Sequence, residues 1–304
     1  MPKRFRRINV EISNICNLQC SFCPEVTRDK QVLNTDIFSD ILAQAVPLTD
    51  EICLHLMGEP LGHPQFAQMI RMCADAGLPV NLSTNGLLLR GMVAEAAISP
   101  IVRQLNISVH SYLDNFPAAD PAPYIEKICS FLDRAARDRP DLYVNLRLWD
   151  MQDETPMSPS ARTLREQIGR RYGANLAEAK IDLRRRKNIR LHGRISAHFD
   201  TRFVWPDLSL PPRGSKGTCM GLRNHFGIHA DGTVVPCCLD KEAVIRLGNV
   251  TEEPLEKILA SAKAEWIKTG FEKHELREEL CQRCSFISRF ERKGKRNPVT
   301  DLRT

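Results

Sequence analysis

Eleven cysteines are spread along this 304-residue chain, and two groups of them have spacings that suit metal chemistry. Cys16, Cys20 and Cys23 fall in N-I-C-N-L-Q-C-S-F-C-P, a C-x3-C-x2-C arrangement. Three thiolates this close can all face one ion or one cluster. A structural zinc site takes four protein ligands, and a catalytic one takes three plus water. Three cysteines with no histidine nearby suit an iron–sulfur cluster better, with one iron left open to a substrate or cofactor. A zinc knuckle or three unrelated thiols are the competing readings.

The second group is Cys219, twelve residues, Gly232, four residues, Cys237, and then the distant pair Cys281-x2-Cys284. Gly232 follows Asp231 and permits a tight turn, which would fold Cys237 back toward Cys219. Four thiolates then make a closed site, for which zinc is the alternative occupant because its ligand types are the same. Cys238 competes with Cys237 for that role. Neighbours on an extended segment point to opposite faces, and the glycine spacing favours Cys237. Cys53, Cys73 and Cys129 lie inside apolar segments and read as core thiols without chemistry.

The elements that must place these groups follow from periodicity. Residues Arg7 to Ile12 read as a strand entering the first cysteine loop. Thr35 can cap a helix in which Ile37, Phe38, Ile41, Leu42 and Ala45 recur at helical spacing. Glu51 to Met57 reads as a buried strand. Pro64 suits a first helical position, with Phe66, Met69, Ile70 and Cys73 on one face and Gly77 ending the helix. Strands are expected at Leu78 to Ser83, Val102 to Val109 and Leu142 to Leu148, and helices at Pro123 to Arg137 and Ala161 to Tyr172. Such alternation implies a parallel sheet with right-handed crossovers, whose ligands sit beyond the carboxyl ends of the strands. A boundary is expected in the Pro- and Gly-rich loop near Pro211 to Gly217. This gives residues 1–215 (core about 6–195), a smaller α+β unit at 216–290 and a basic tail at 291–304. The smaller unit should hold a hairpin (Phe226 to Ala230, then Thr233 to Val235) and a helix bearing Leu255, Ile258, Leu259 and Ala262.

Composition narrows the function classes. The chain is 42% hydrophobic and 26% charged, ordinary for a globular protein. It has no apolar run long enough to cross a bilayer and no secretory signal at its start. The expected compartment is therefore the reducing cytoplasm, where clustered cysteines read as metal ligands rather than disulfides. A net charge of +6 is mildly basic. The run Arg184, Arg185, Arg186, Lys187 and Arg190 suits an acidic peptide, a phosphorylated small molecule or RNA, or is simply a solvated face. Few aromatics and no RNA-recognition motif argue against nucleic acid.

The first cysteine loop resembles the radical SAM superfamily, whose hallmark is C-x3-C-x2-C after the first strand of a partial (β/α)6 barrel. The resemblance implies a [4Fe-4S] cluster chelated by S-adenosylmethionine (SAM). One electron cleaves that cofactor to a 5′-deoxyadenosyl radical, which abstracts hydrogen from an unreactive C–H bond. It also implies site residues. Gly58, Glu59 and Pro60 correspond to the segment that holds the methionine amino group, with Met57 in place of the usual first glycine. Ser83, Thr84 and Asn85 would face the methionyl carboxylate and ribose, Ser108 and His110 the ribose side, and Phe22 the adenine. Asn145 and Arg147 close the fifth strand, where Arg147 could pair with the carboxylate.

The second group resembles the SPASM/Twitch extension of that superfamily. No cysteine follows Cys284, so the match is to the single-cluster form, with Cys219, Cys237, Cys281 and Cys284 holding an auxiliary [4Fe-4S] cluster. The family offers two substrate classes: side chains of peptides or proteins, and small alcohols or sugars that are oxidised. The first is the more frequent. The absence of an N-terminal peptide-recognition domain before the first strand weakens it. An external electron donor such as flavodoxin or ferredoxin is implied. Two rivals outside the class are an iron–sulfur electron carrier and a zinc-stabilised RNA-binding protein. Glu59, Asn85 and His110 at successive strand ends argue against both, since neither needs a nucleoside pocket. No motif marks a substrate-side acid or base; His55, His192, His198 and Asp240 are candidates without one.

Overall fold

The computed structural model describes residues 4–149, 151, 157–183, 185, 187–202 and 204–290. Arg184 and Arg186 of the basic run, and the basic tail at 291–304, lie outside the described residues. Ten strands form one sheet: β1 (Arg7–Val10), β2 (Ile52–Cys53), β3 (Val80–Thr84), β4 (Val102–Ile107), β5 (Tyr143–Leu148), β6 (Asn188–His192), β7 (Ile195–Phe199), β8 (His225–Ile228), β9 (Thr233–Val235) and β10 (Gly248–Asn249). Their order is β10-β9-β8-β1-β2-β3-β4-β5-β7-β6. The run β1-β2-β3-β4-β5-β7 is parallel throughout, the six-stranded arrangement expected of a partial barrel. Its crossovers carry α1 (Thr35–Ala45), α2 (Phe66–Asp75), α3 (Gly91–Ala97), α4 (His110–Asn115), α5 (Ala122–Asp138) and α6 (Pro159–Arg171). Among the described residues no helix is long and apolar enough to cross a membrane.

Period-two alternation gives the sheet two unlike faces. Ile8, Val10, Ile52, Leu54, Val80, Leu82, Leu105, Ile107, Val144 and Leu146 join the helices in one continuous apolar core. The alternate positions are polar: Arg7 and Asn9, Cys53 and His55, Asn81 and Ser83, Asn106, Asn145 and Arg147, Ser196 and His198. Asparagine amides bridge neighbouring strands on this face. Asn106 Nδ2 donates to Asn81 Oδ1 (2.9 Å), and Asn145 Nδ2 donates to Asn106 Oδ1 (3.1 Å). The sheet curls around this polar face, so that Arg147 on β5 acts electrostatically on Cys53 and His55 at β2.

The smaller C-terminal unit is joined to the barrel by the sheet itself. β8 pairs in parallel with β1, Arg7 opposite His225 and Val10 opposite Ile228. β9 and β10 continue antiparallel. Without β8, β1 would be an open edge of unpaired backbone groups. The expected boundary loop therefore separates two stretches of chain that share one sheet. The β8–β9 turn needs Gly232: its φ is +84°, and a Cβ there would lie 2.6 Å from Asn249 Oδ1.

Several elements differ from expectation. The first helix is capped by Asn34, whose side chain accepts from the Asp36 N–H (2.6 Å), one residue before Thr35. The second strand stops at Cys53, because Met57 N–H is drawn to Glu11 and Gly58 turns the chain with φ +72°. The single helix expected around Leu255 to Ala262 is two, α7 (Leu255–Leu259) and α8 (Ala262–Glu272). The break comes where Ser261 Oγ caps Ala264 N–H at 3.2 Å. The antiparallel β6–β7 pair was not foreseen from the pattern.

Glu11, just past β1, is fully buried. Its carboxylate accepts from Arg28 Nη2 (2.9 and 3.1 Å), from Met57 N–H (3.2 Å) and from Ala230 N–H (3.3 Å). Breaking a buried ion pair leaves its partner uncompensated, which costs far more than losing an exposed one. Glu11→Gln should lower stability by about 3 kcal/mol, read from chemical denaturation midpoints. Removal of the exposed contacts of Asp138 with Arg134 and Arg137 by Asp138→Asn should cost under about 1 kcal/mol in the same assay.

Candidate functional site

The first cysteine loop leaves β1 and is held mostly by polar contacts. Cys16 and Cys23 are exposed and Cys20 is buried. Asn14 braces the far side of the loop, its Oδ1 accepting from Gln31 N–H (2.8 Å) and its Nδ2 donating to Asp29 O (2.7 Å). The short helix α4 clamps the near side. Asn115 accepts from Gln19 N–H (2.8 Å) and donates to Cys20 Sγ (3.1 Å). Asp114 accepts from the backbone and hydroxyl of Ser21 (2.5 and 2.7 Å) and pairs with Arg202 (3.2 Å). Neither Asp114 nor Asn115 stood out in the sequence; their only signal is position, one turn after His110.

The thiols are electrostatically strained as a set. Although the Cys16 and Cys23 residues are exposed overall, their sulfurs are crowded by the loop: desolvation pushes Cys16 and Cys20 up and Cys23 up to about 12, with the neighbouring thiols adding to Cys16 and Cys23. A cation in their midst reverses that logic and draws all three into the thiolate form. Three thiols of one loop that act electrostatically on one another, with an amide donor on Cys20, are a donor set that suits an iron–sulfur cluster.

Beside this loop runs the segment from Met57 to Pro60. Gly58 is pressed against the loop: a Cβ there would lie 2.3 Å from Ser13 O and 2.9 Å from Ile15 O. Glu59 N–H donates to Ile15 O (3.0 Å), which ties the two segments together. The Met57 side chain, where a glycine is usual, is buried in a small apolar cluster with Val26, Leu56 and Val235. Pro60 opens a single 3-10 turn, Pro60–Gly62. The Glu59 carboxylate is buried and accepts from Asn85 N–H (2.8 Å) and Leu61 N–H (3.1 Å). Burial outweighs these hydrogen bonds and raises it to about 7. A carboxylate has lone pairs left for a further donor. Asn85 Nδ2 in turn donates to Asn17 Oδ1 (2.8 Å), inside the cysteine loop.

On the other side of the mouth the Phe22 ring meets His110 at 4.9 Å, and His110 stacks on Trp149 at 6.1 Å. His110 Nδ1 contacts Arg147 O (3.0 Å), which fixes the ring. Ser108 N–H donates to Thr84 O (2.8 Å) at the end of β4. Glu59, Asn85 and His110 thus contact the cysteine loop, His110 through Phe22, while Ser108 is tied to the end of β3. Ser83 and Arg147 sit deeper. Ser83 Oγ contacts His55 Nε2 (3.3 Å), and the Arg147 guanidinium lies 4.7 Å over Trp149. Of the residues without a motif, Asp240 accepts from Val244 N–H (2.9 Å) and Ile245 N–H (2.8 Å) and braces its own loop. His192 is exposed on β6, and His198 Nδ1 accepts from Trp149 Nε1–H at 3.0 Å.

The second cysteine group lines one cavity of about 80 Å³, in which Cys219, Cys237, Cys238, Cys281 and Cys284 all take part. Cys281 and Cys284 flank the end of α9 (Glu279–Gln282). Burial pushes Cys219 up to about 11 and Cys237 and Cys281 well above the ordinary thiol range; like charge among the group adds to it. Cys237 interacts with Cys219, Cys281 and Cys238; Cys238 interacts with Cys219, Cys237 and Cys284 as well, and also packs on the apolar cluster of Leu56 and Met57 and lies within reach of Arg7. Four half-buried cysteines whose sulfurs would repel one another as thiolates fit a cluster that neutralises them. Cys73 and Cys129 are core thiols, as expected; Cys53 is equally buried but lies on the polar inner face, within reach of Arg7 and Arg147.

Comparison with known proteins agrees with this geometry. Residues 10–154 match the Radical SAM superfamily, and residues 219–285 match the SPASM iron-sulfur cluster-binding domain. A PqqA peptide cyclase of Streptomyces rochei is 32% identical over 117 residues, 37% of this chain and 31% of that protein. The matches span 31% or less of the length of the curated relatives. Among solved structures, BtrN in complex with AdoMet and 2-DOIA aligns over 94% of both chains, with a TM-score of 0.57 and 17% identity. Streptococcus suis SuiB bound to its precursor peptide SuiA aligns over 95% of this chain and 74% of that one, with a TM-score of 0.60 and 15% identity. These two likenesses establish the fold. The radical SAM domain brings a [4Fe-4S] cluster and SAM, and the SPASM domain brings auxiliary iron–sulfur chemistry.

Two outcomes follow for the holoprotein. A cofactor ammonium at Glu59 would need its ionised form, and burial retains the Glu59 proton up to about pH 7. SAM affinity should therefore be level above that pH and fall about tenfold per unit below it. In Glu59→Gln that pH dependence should vanish and affinity should be low throughout, as read by equilibrium dialysis. Cys237→Ser should lose about four of about eight irons per chain, while Cys238→Ser keeps them, by iron and sulfide counting after anaerobic purification.

Proposed function

Since this chain is a radical SAM protein with a C-terminal SPASM domain, we propose that it cleaves SAM reductively and abstracts hydrogen from a side chain of a peptide or protein. Cys16, Cys20 and Cys23 would hold the catalytic cluster, and Cys219, Cys237, Cys281 and Cys284 the auxiliary one. When bound, the first cluster supplies the electron that splits the SAM sulfonium and starts hydrogen abstraction. Every other contribution comes from the chain. Glu59 receives the methionyl ammonium. Asn85, Ser108 and His110 orient the ribose and carboxylate end. Phe22, steadied by Arg202 at 4.7 Å over its ring, lies beside the adenine. Gly58 lets the backbone approach the loop without a side chain intervening. A donor of the flavodoxin or ferredoxin type supplies the electron from outside.

The observation that carries this reading is convergence. A three-thiol loop with two of its cysteines exposed, a buried carboxylate and the backbone amide of Asn85 lie together at the carboxyl ends of parallel strands, above a polar-lined interior. The peptide substrate is supported by the resemblance to a peptide cyclase. The polar inner face supports one second reading, the oxidation of a small alcohol or sugar.

Anaerobically reconstituted protein should form 5′-deoxyadenosine from SAM and dithionite. Cys20→Ser should lower that rate by more than about a hundredfold, because the cluster site is lost. A fully iron-loaded protein that makes no 5′-deoxyadenosine overturns the proposal. Candidate peptides and aminosugars, examined by mass spectrometry for loss of two hydrogens, separate the two substrate readings.

A further inference from the structure

The polar interior of the sheet contains an imbalance of charge. Its acidic groups already have partners. Glu11 is shared with Arg28, Glu51 pairs with Arg103, and Asp200 pairs with Lys187 (2.8 Å) and Arg289 (3.4 Å). Among the described residues, neither Arg7 on β1 nor Arg147 on β5 has a carboxylate partner or a side-chain hydrogen bond. Both are half-buried on the inward face. Both act on the same two side chains, Cys53 and His55, so their fields overlap in one volume. Arg147 lies flat over Trp149 at 4.7 Å, a stacking that spends the face of the guanidinium and leaves its edge donors free. Burial lowers Arg147 to about 10, and burial together with these two arginines lowers His55 to about 3. Charges in such surroundings are normally paired.

We propose that Arg7 and Arg147, with His55 between them, form a subsite for an anionic group of the substrate, a carboxylate or a phosphate. This deepens the proposed function and rests on its placement of the substrate inside the barrel. Two guanidiniums approaching one volume can clamp an oxyanion by charge-assisted hydrogen bonds, and the imidazole offers another. The subsite adjoins the auxiliary cavity. Arg7 stands opposite His225 in the sheet, and His225 lines that cavity together with Cys238. An anion anchored here holds the rest of the substrate between the two cysteine groups. The substrate is then an acidic side chain or terminal carboxylate of a peptide, or a phosphorylated small molecule. On this assignment Arg147 serves the substrate and not the methionyl carboxylate of SAM.

The test uses the reconstituted holoprotein without SAM or reductant, titrated with inorganic phosphate and with acetate at constant ionic strength by calorimetry. One or both should bind. Preference for acetate identifies a carboxylate source, and preference for phosphate a phosphoryl one. Arg7→Gln and Arg147→Gln should each weaken binding at least about tenfold. Arg7→Lys, which keeps the charge, should recover part of the loss and so separates the subsite from misfolding. Arg190→Gln, on the exposed side of β6, should bind as the unmodified protein does. Equal anion affinity in all four variants, or no binding of either anion, overturns the subsite. A protein that binds anions through Arg7 yet makes no 5′-deoxyadenosine overturns the proposed function instead, so the two failures are distinguishable.

Discussion

A single buried carboxylate joins the parts of this molecule that must meet. Glu11 leaves the end of β1 and takes hydrogen bonds from the cysteine loop through Arg28, from the Met57–Pro60 segment through Met57 N–H and from the β8–β9 turn through Ala230 N–H. The donors come from stretches 17, 46 and 219 residues away. No local preference brings such segments together, and apolar packing, being non-directional, cannot set their mutual orientation. A desolvated anion with fixed donors can, because each unmade bond there is expensive. The Glu59 N–H to Ile15 O bond and the bare Cα of Gly58 then complete the register between loop and strand end.

The second constraint is the division of the sheet into an apolar and a polar face. Parallel sheets usually bury both faces and read as continuous apolar runs. Here the outer face carries the core, while the inner face carries asparagine, serine, histidine and arginine. The cost of this polarity is met locally where amides bridge strands, as along Asn81, Asn106 and Asn145. It is left unmet at Arg7 and Arg147. Among the described residues no carboxylate pairs with either cation, and His55 Nδ1 on the same face is buried without a partner.

Much of this was legible in the sequence wherever the signal was local. The apolar positions of α2 follow i, i+3, i+4, i+7, and Phe66, Met69, Ile70 and Cys73 are its buried face. Both cysteine groups carry their spacing on the surface of the sequence. Glu59 and Asn85 sit at strand ends, and the structure brings them into contact. What could not be read depends on distant contacts. Asn115 reaches Cys20 across 95 residues, and nothing in H-S-Y-L-D-N marks it. The strand at β2 reads as seven residues and has two in the ladder, because Glu11 pulls Met57 out of line. The continuity of the sheet from β1 to β8 is equally non-local: a hairpin pattern says where a turn falls and not which edge it covers.

Electrostatics explains why both cysteine groups are shaped as they are. In each, burial and like charge act in the same direction and hold the sulfurs protonated. Hydrogen bonds oppose this only weakly, from Asn115 to Cys20 and from Gly221 N–H to Cys219. A site tuned for a reactive free thiolate would look different, with a cation or helix N-terminus lowering the thiol. These thiols instead gain most when a polycationic cluster core arrives, since it removes the repulsion and the desolvation penalty at once. The two sites differ in exposure, and that difference divides their roles. Cys16 and Cys23 lie open at the mouth, whereas the C-terminal cysteines are half-buried and line a cavity of their own.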